Sequence, residues 1–259
     1  MISAIIITKN EERNIERCIA SLKGVADEII VVDSGSTDNT EAICRDTGVH
    51  FEYHKWEGYA NQKNYANSLA THEWTLSIDA DEALSDSLRD AILQLKQESF
   101  KSNVVYAVQR LNSYCGQWIK HGGWYPDQKI RLWKSGTAHW DGAVHEDLSF
   151  ESPVNTVLLE GKLLHYTYNS FNELAERQAS YARLAAQKAF ENGKRCGWLA
   201  PHIHPRWTFL RNYLLKGGFL DGAAGYIISR MSAYYTFMKY TILREFIKSN
   251  NHTSCQKGK

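Results

Sequence analysis

The apolar positions of the first eighty residues switch repeatedly between two periods. Residues 4–8 form a continuous apolar run ending on a hydroxyl, Ala4-Ile5-Ile6-Ile7-Thr8, the pattern of a strand buried in a parallel sheet. Asn10 then stands where it can cap a helix, and Ile15, Cys18, Ile19 and Leu22 recur at i, i+3, i+4 and i+7 before Gly24. Residues 28–33 repeat the strand pattern, and Asp38-x-x-Glu41 reads as a capping box for a helix that stops near Gly48. Residues 49–54, 59–69 and 74–78 predict a third strand, a helix and a fourth strand. Such alternation predicts an α/β fold: a mostly parallel sheet with helices on both faces and ligands at the carboxyl ends of its strands. Thr8, Asp33 and Asp79 all fall at those ends.

Further along, a helix is predicted over 85–96 and strands over 104–111, 129–133 and 157–165, antiparallel or mixed. The Trp- and Gly-rich stretch 115–125 reads as a loop. Beyond His165 the pattern turns helical. Ser170-x-x-Glu173 opens an Ala-rich helix to about Asn192, residues 194–205 interrupt it, and amphipathic helices follow over 207–247. The expected organisation is a catalytic domain over 1–168, an amphipathic helical region over 169–249 and a disordered tail over 250–259.

Charge sharpens that division. Residues 1–169 hold 16 Lys+Arg against 24 Asp+Glu, whereas residues 170–259 hold 14 against 5, so a net charge of +1 conceals an acidic body and a basic tail. The tail interleaves Arg206, Arg211, Lys216, Arg230, Lys239 and Arg244 with Trp207, Phe209, Tyr213, Phe219, Tyr234, Tyr235 and Phe237. That mixture suits an anionic bilayer surface or the phosphates of a lipid-linked acceptor, with helix packing against the rest of the chain as the plainer alternative. The five cysteines are scattered, odd in number and free of any CxxC pair, which argues against a disulfide framework and for a reducing compartment. No signal-peptide pattern and no run of about 18 apolar residues occurs, so a cytoplasmic address is expected. His202-x-His204, between two prolines and without a third ligand, reads as loop.

The candidate chemistry centres on Asp79-Ala80-Asp81. Two carboxylates just past a buried strand repel unless something neutralises them, and Mg²⁺ or Mn²⁺ prefers such oxygen ligands, completing its shell with water and substrate phosphates. Taken alone, the triplet reads more readily as an acidic loop capping the next helix. Ile5-Ile6-Ile7-Thr8-Lys9-Asn10-Glu11, Val31-Val32-Asp33-Ser34-Gly35-Ser36-Thr37-Asp38 and Ser77-Ile78-Asp79-Ala80-Asp81-Glu82, in this order and spacing, resemble the family 2 inverting glycosyltransferases of GT-A fold. The resemblance implies Thr8, Glu11 and Ser36 near the nucleotide, Asp33 on the uracil or ribose, and Asp79 with Asp81 at the diphosphate and metal. Gln62-Lys63-Asn64 falls where that family carries a basic residue and an Asn facing the nucleotide sugar; Lys63 replaces the usual Arg, keeping charge without a fork of donors. Glu82 is read as a neighbour rather than a participant.

Residues 127–133, 142–147 and 209–225 resemble one subgroup, small glycosyltransferases of bacterial lipopolysaccharide-core assembly, including glucosyltransferases. An acceptor hydroxyl must lose its proton as it attacks the anomeric carbon. Glu146 is the expected base, with Asp147 in reserve, and His145 a residue that orients Glu146 or binds metal. Arg131 contacts phosphate or pairs with an acid. The expected activity is metal-dependent transfer of a hexose, glucose from UDP-glucose first, to a lipid-linked saccharide at the cytoplasmic face of the inner membrane. A polyprenyl-phosphate acceptor is the nearest alternative. A nucleotidyltransferase is disfavoured because Lys9-Asn10-Glu11-Glu12 is no Gly-rich phosphate loop, and a non-catalytic sugar-nucleotide-binding module is the third.

Overall fold

The computed structural model describes residues 1–142 and 147–256, the last seven as backbone only. Among the described residues, eleven strands and seven α-helices follow one another along the chain. The first are β1 (Ile2–Thr8), α1 (Ile15–Leu22), β2 (Glu28–Asp33), α2 (Thr40–Thr47), β3 (His50–Tyr53), α3 (Tyr59–Leu69) and β4 (Trp74–Asp79). β5 (Glu82–Leu84), α4 (Asp86–Glu98), β6 (Val104–Tyr114), β7 (Gln117–Trp118), β8 (Asp127–Lys134), β9 (Ala138–Asp141), β10 (Asp147–Phe150) and β11 (Asn155–Tyr168) come next. The chain ends in α5 (Phe171–Glu191), α6 (Ala200–Leu210) and α7 (Gly222–Gln256).

Two compact units divide these elements. One comprises residues 1–111 and 127–167, the other residues 112–126 and 168–259. The loop-like stretch 115–125, assigned to the first domain by sequence, thus belongs with the C-terminal helices, and it carries β7 and a short helical turn.

In the first unit the sheet runs β3-β2-β1-β4-β8-β6-β11-β5. Its β3-β2-β1-β4 half is parallel, as the alternating pattern requires, and β8 joins β4 antiparallel. This is the expected α/β architecture, a sheet with helices packed on it. The strand runs Ile2–Ile6 and Ile30–Val32 are withdrawn from solvent, as are Ile15, Cys18, Ile19 and Leu22 on the inner stripe of α1. Fully burying side chains of this size stabilises by about 1.5–3 kcal/mol each.

Three predicted helix starts resolve differently. Ser85 caps α4, accepting from the Leu88 N–H at 3.3 Å, and its Oγ also accepts from the Lys162 N–H at 3.0 Å. Asn10 caps nothing; it has a positive φ of 55° and its Oδ1 accepts from Thr37 N–H. Asp38-x-x-Glu41 is not a capping box either, since Asp38 accepts from Thr40 and Glu12 while Glu41 pairs with Arg45. Both departures serve one end: they tie the loop after β1 to the loop after β2.

In the second unit, residues 194–205 do not simply interrupt the helices. α6 begins at Ala200, with Pro201 in its first turn where a missing N–H is no loss, so His202 and His204 lie on a helix rather than a loop. The Asp221 carboxylate accepts from the His121 N–H at 2.8 Å and from the Lys120 N–H, holding residues 117–121 to the start of α7. Among the described residues, no helix is long and apolar enough to cross a membrane.

Gly161, at φ 96°, lets β11 pass the first turn of α4, where an added Cβ would land on the backbone N and Cα of Leu88. Gly161→Ala combines left-handed strain with overpacking. It is expected to cost roughly 2–4 kcal/mol, read as a lowered denaturant midpoint with unchanged m-value.

Candidate functional site

Parallel register sets the site's floor. Thr8 pairs with Asp33 and Ile7 with Asp79, so three polar strand ends share one edge of the sheet. A hydrogen-bonded seam joins the two loops beyond them. Asn10 N–H donates to Ser36 Oγ at 2.8 Å, Glu11 N–H to Thr40 Oγ1 at 2.8 Å, and Glu12 Oε2 accepts from both the backbone and side chain of Asn39.

Asp33 is nearly withdrawn from solvent, and its Oδ2 accepts from the N–H groups of Gly35 and Ser36 at 2.7 and 2.8 Å. Its Oδ1 accepts from Ser36 Oγ. In the structure Asp33 therefore shapes its own turn, and Gly35, at φ 87° beside Tyr53, makes that turn possible. The buried Thr8 Oγ1 has no hydrogen-bond partner among the described residues. An unsatisfied buried hydroxyl costs about 1–3 kcal/mol, so this one is primed for a polar ligand.

The acidic triplet sits in a knot of charges. Arg131, on β8, is 3% exposed, and its Nη2 donates to Asp79 Oδ2 at 2.7 Å and to the two Glu82 oxygens at 2.6 and 2.7 Å. Glu82 is fully buried, accepts from the Asp79 N–H at 3.0 Å, and also meets Arg110 Nη1 at 3.3 Å. Arg110 in turn pairs with Asp127 at 2.8 Å, which also meets Lys129 at 3.3 Å. Lys63, on α3, brings its Nζ to 3.4 Å from Asp79 Oδ1 and lies over the Trp140 ring. Asp81 takes a different partner. His165 Nε2 is 3.1 Å from its Oδ2, and His165 Nδ1 is 3.1 Å from Thr167 Oγ1.

Electrostatics follow from this packing. Burial by itself would raise the Asp79 carboxyl, but the charges of Arg131 and Lys63, the Arg131 hydrogen bond and Arg110 outweigh it and hold Asp79 well below the usual carboxylate range. Asp127 is likewise lowered, because Arg110 and Lys129 outweigh its burial. Cys18, behind the triplet, is pushed far upward by burial and by Glu82, Asp81 and Asp79, so it stays a thiol.

Several sequence-based expectations change here. Glu82 is no bystander: it is the buried hub that Arg131, Arg110 and the Asp79 N–H all contact. The repulsion between neighbouring carboxylates needs no metal for relief, because protein cations already surround Asp79. Arg131 takes the second of its two expected roles, pairing with acids, though its buried Nε has no partner among the described residues. Asn64 clasps β9, exchanging hydrogen bonds of 2.8 Å with both the N–H and the carbonyl of Trp140. Glu11 accepts from Asn14 Nδ2 at 2.7 Å. Asp147 is exposed at the start of β10, opposite Asp141, whereas His145 and Glu146 lie outside the described residues. Sequence reading missed Arg110 and His165, each a polar residue near the end of a predicted strand. That exception to an apolar run was the available signal.

Asp81 and His165 supply oxygen and nitrogen donors suited to Mg²⁺ or Mn²⁺. No group of three or more His, Cys, Asp or Glu side chains gathers into a cage among the described residues. Asp79, Asp81, Glu82 and Asp127 face Lys63, Arg110, Arg131, Lys129 and His165, so the cluster is close to charge balance before a ligand arrives.

Comparison with known sequences gives the class of enzyme, a glycosyltransferase. The profile described as Glycosyl transferase family 2 matches residues 3–155, and the chain belongs to that family. An uncharacterized glycosyltransferase of Rickettsia typhi is 33% identical over 96% of this chain and 89% of its own. The lipopolysaccharide core biosynthesis glycosyltransferase LpsC of Rhizobium meliloti is 34% identical over 92% of this chain and 89% of its own. Glucosyl-3-phosphoglycerate synthase from Mycobacterium tuberculosis, solved with Mn²⁺, UDP and glucosyl-3-phosphoglycerate, aligns over 44% of each chain at 22% identity and a TM-score of 0.36, too low to carry an inference.

The knot makes a signed prediction. A depressed carboxyl such as Asp79 contributes stability that is present above the unfolded value of about 4 and lost as pH falls below it. Arg131→Met strands Glu82 without its nearest cation, which should cost about 3–5 kcal/mol near neutral pH. Arg131 is also the main cation that holds Asp79 low, so the Tm gap to the parent should narrow as pH falls from about 5 to about 2, where the Asp79 contribution is lost. A gap constant to within about 2 °C over that range would contradict the pairing.

Proposed function

We propose that this chain moves a hexose, glucose from UDP-glucose as the first candidate, with inversion onto a lipid-linked saccharide of the lipopolysaccharide core. The single observation that carries this reading is the convergence of Thr8, Asp33 and the Asp79-Ala80-Asp81 triplet on one sheet edge in a family 2 chain. The likeness to LpsC along most of the chain supports the acceptor class. The work is placed at the cytoplasmic face of the inner membrane, reached through the basic, aromatic C-terminal helices.

In this reading the Asp33 turn and its neighbours Ser36 and Glu11 receive the nucleoside, and Thr8 Oγ1 finds its missing partner there. Lys63 and Arg131 orient Asp79 and offset charge at the diphosphate. Asp81 and Asp79 hold Mg²⁺ or Mn²⁺, with His165 fixing Asp81; when bound, the metal stabilises the departing diphosphate. Glu146 takes the acceptor's proton, with Asp147 as the reserve base.

A thermal-shift screen of nucleotide sugars with and without Mn²⁺ tests the donor, because a ligand that binds the native state raises apparent stability by mass action. UDP-glucose should raise Tm only with metal present. Asp81→Ala should remove that shift and lower kcat/KM by at least about a hundredfold, given the several kcal/mol a metal supplies; near-parental turnover would sink the metal assignment. Glu146→Gln should cost roughly 10²–10⁴-fold in kcat, and a loss of only a few-fold would move the base to Asp147.

A further inference from the structure

α6 is built inside out. Its inward side mixes small, polar and ring side chains: Pro201 is buried, Thr208 Oγ1 lies 3.3 Å from Thr236 Oγ1 of α7, and Phe209 is half-buried. Asn212, in the turn that continues α6, is 4% exposed. The outward side is the apolar one. Leu199, Ile203, Trp207 and Leu210 are 45%, 55%, 51% and 41% exposed, and the stripe continues through Leu214 and Leu215. At 3.6 residues per turn, those first four lie within an arc of about 80° on one face of the helix. A helix in water normally buries such a stripe and exposes its polar face, so this one is arranged for a second apolar phase.

Charge selects the phase. Residues 192–220 contain five Lys+Arg and no Asp or Glu. By helical spacing Arg206 and Arg211 flank the stripe on either side, and both are exposed, as is Lys216 beyond it. Symmetric pairing of two copies through this face would bring Arg206, Arg211 and Lys216 of each copy together, six cations with no Asp or Glu in residues 192–220 to offset them. A stripe of Leu, Ile and Trp bordered by Arg and Lys is the composition of a helix lying in a lipid interface.

We propose that the outward face of α6 is a bilayer-docking surface, with Leu199, Ile203, Trp207 and Leu210 entering the lipid and Arg206, Arg211 and Lys216 meeting anionic phospholipid headgroups. This deepens the membrane placement stated above by naming the helix face that performs it. It differs from the sequence-based picture, in which the whole basic, aromatic tail contributes alike. Phe209 and Tyr213 are instead stacked on each other at 5.3 Å, and Phe209 also packs edge-on against Tyr226.

Cosedimentation of the full chain with vesicles of phosphatidylethanolamine and phosphatidylglycerol, without donor or acceptor, tests this surface separately from the chemistry. The parent chain should bind, and the triple variant Ile203→Ser, Trp207→Ser, Leu210→Ser should bind at least about tenfold more weakly while keeping its helical circular dichroism and Tm. These side chains already face solvent, so folding should tolerate the change. A second triple variant, Arg206→Gln, Arg211→Gln, Lys216→Gln, should lose the preference for anionic over purely zwitterionic vesicles, and raised salt should act likewise on the parent. A parent chain that stays in the supernatant with anionic vesicles at low salt overturns the proposal. So does an apolar triple variant that binds as well as the parent, or one that instead converts a parent dimer to monomer in light scattering. Vesicle binding without any thermal shift by nucleotide sugars would leave the docking surface standing and remove the donor reading.

Discussion

Glu82 carries a carboxylate in a fully buried position, and much of the site depends on how that cost is met. Arg131 reaches it from β8 and Arg110 from β6, while the same Arg131 nitrogen also holds Asp79. Removing a charge from water costs several kcal/mol, so each partner must stay in place for the others to be tolerated. The knot thereby pins the antiparallel strands β6 and β8 to the end of β4, and it fixes the orientation of Asp79. Asp81, two residues on, stands outside this knot, its carboxylate 3.1 Å from His165 Nε2. One triplet thus presents two carboxylates in different settings: one among fixed cations, the other beside an imidazole.

Around that centre the structure spends its polar groups on rigidity. The loops after β1 and β2 would be mobile if left to solvent, yet Asn10, Glu12, Ser36, Asp38 and Thr40 bond across the gap between them. Residues that would cap helices in isolation are diverted to this seam, which explains why Asn10 and Asp38 disobey the local rule. Local propensity is weak, and a cross-loop hydrogen bond that closes a binding edge outweighs a cap worth about 1 kcal/mol.

Legibility differed between the two units for a physical reason. Buried parallel strands and amphipathic helices announce themselves through the period of their apolar residues, so β1 to β4 and α1 to α4 emerged nearly at their observed bounds. In the second unit, α6 contradicts its own surroundings by turning its apolar stripe outward, and periodicity records a stripe without its direction. Pro201 in the first turn and Pro205 inside the helix deepened the error, since each reads in sequence as a helix break.

By itself, the order of residues determined that Thr8, Asp33 and Asp79 end adjacent parallel strands, because βαβ connections leave little choice of strand order or direction. It also determined the acidic body, the basic tail and the family. Tertiary structure alone decided the partners. Arg131 meets Asp79 across 52 positions and His165 meets Asp81 across 84, distances over which only strand register determines which side chains face each other. For the same reason Glu82, indistinguishable in sequence from any acid after a turn, became the hub once β5 was paired with β11 and covered from water.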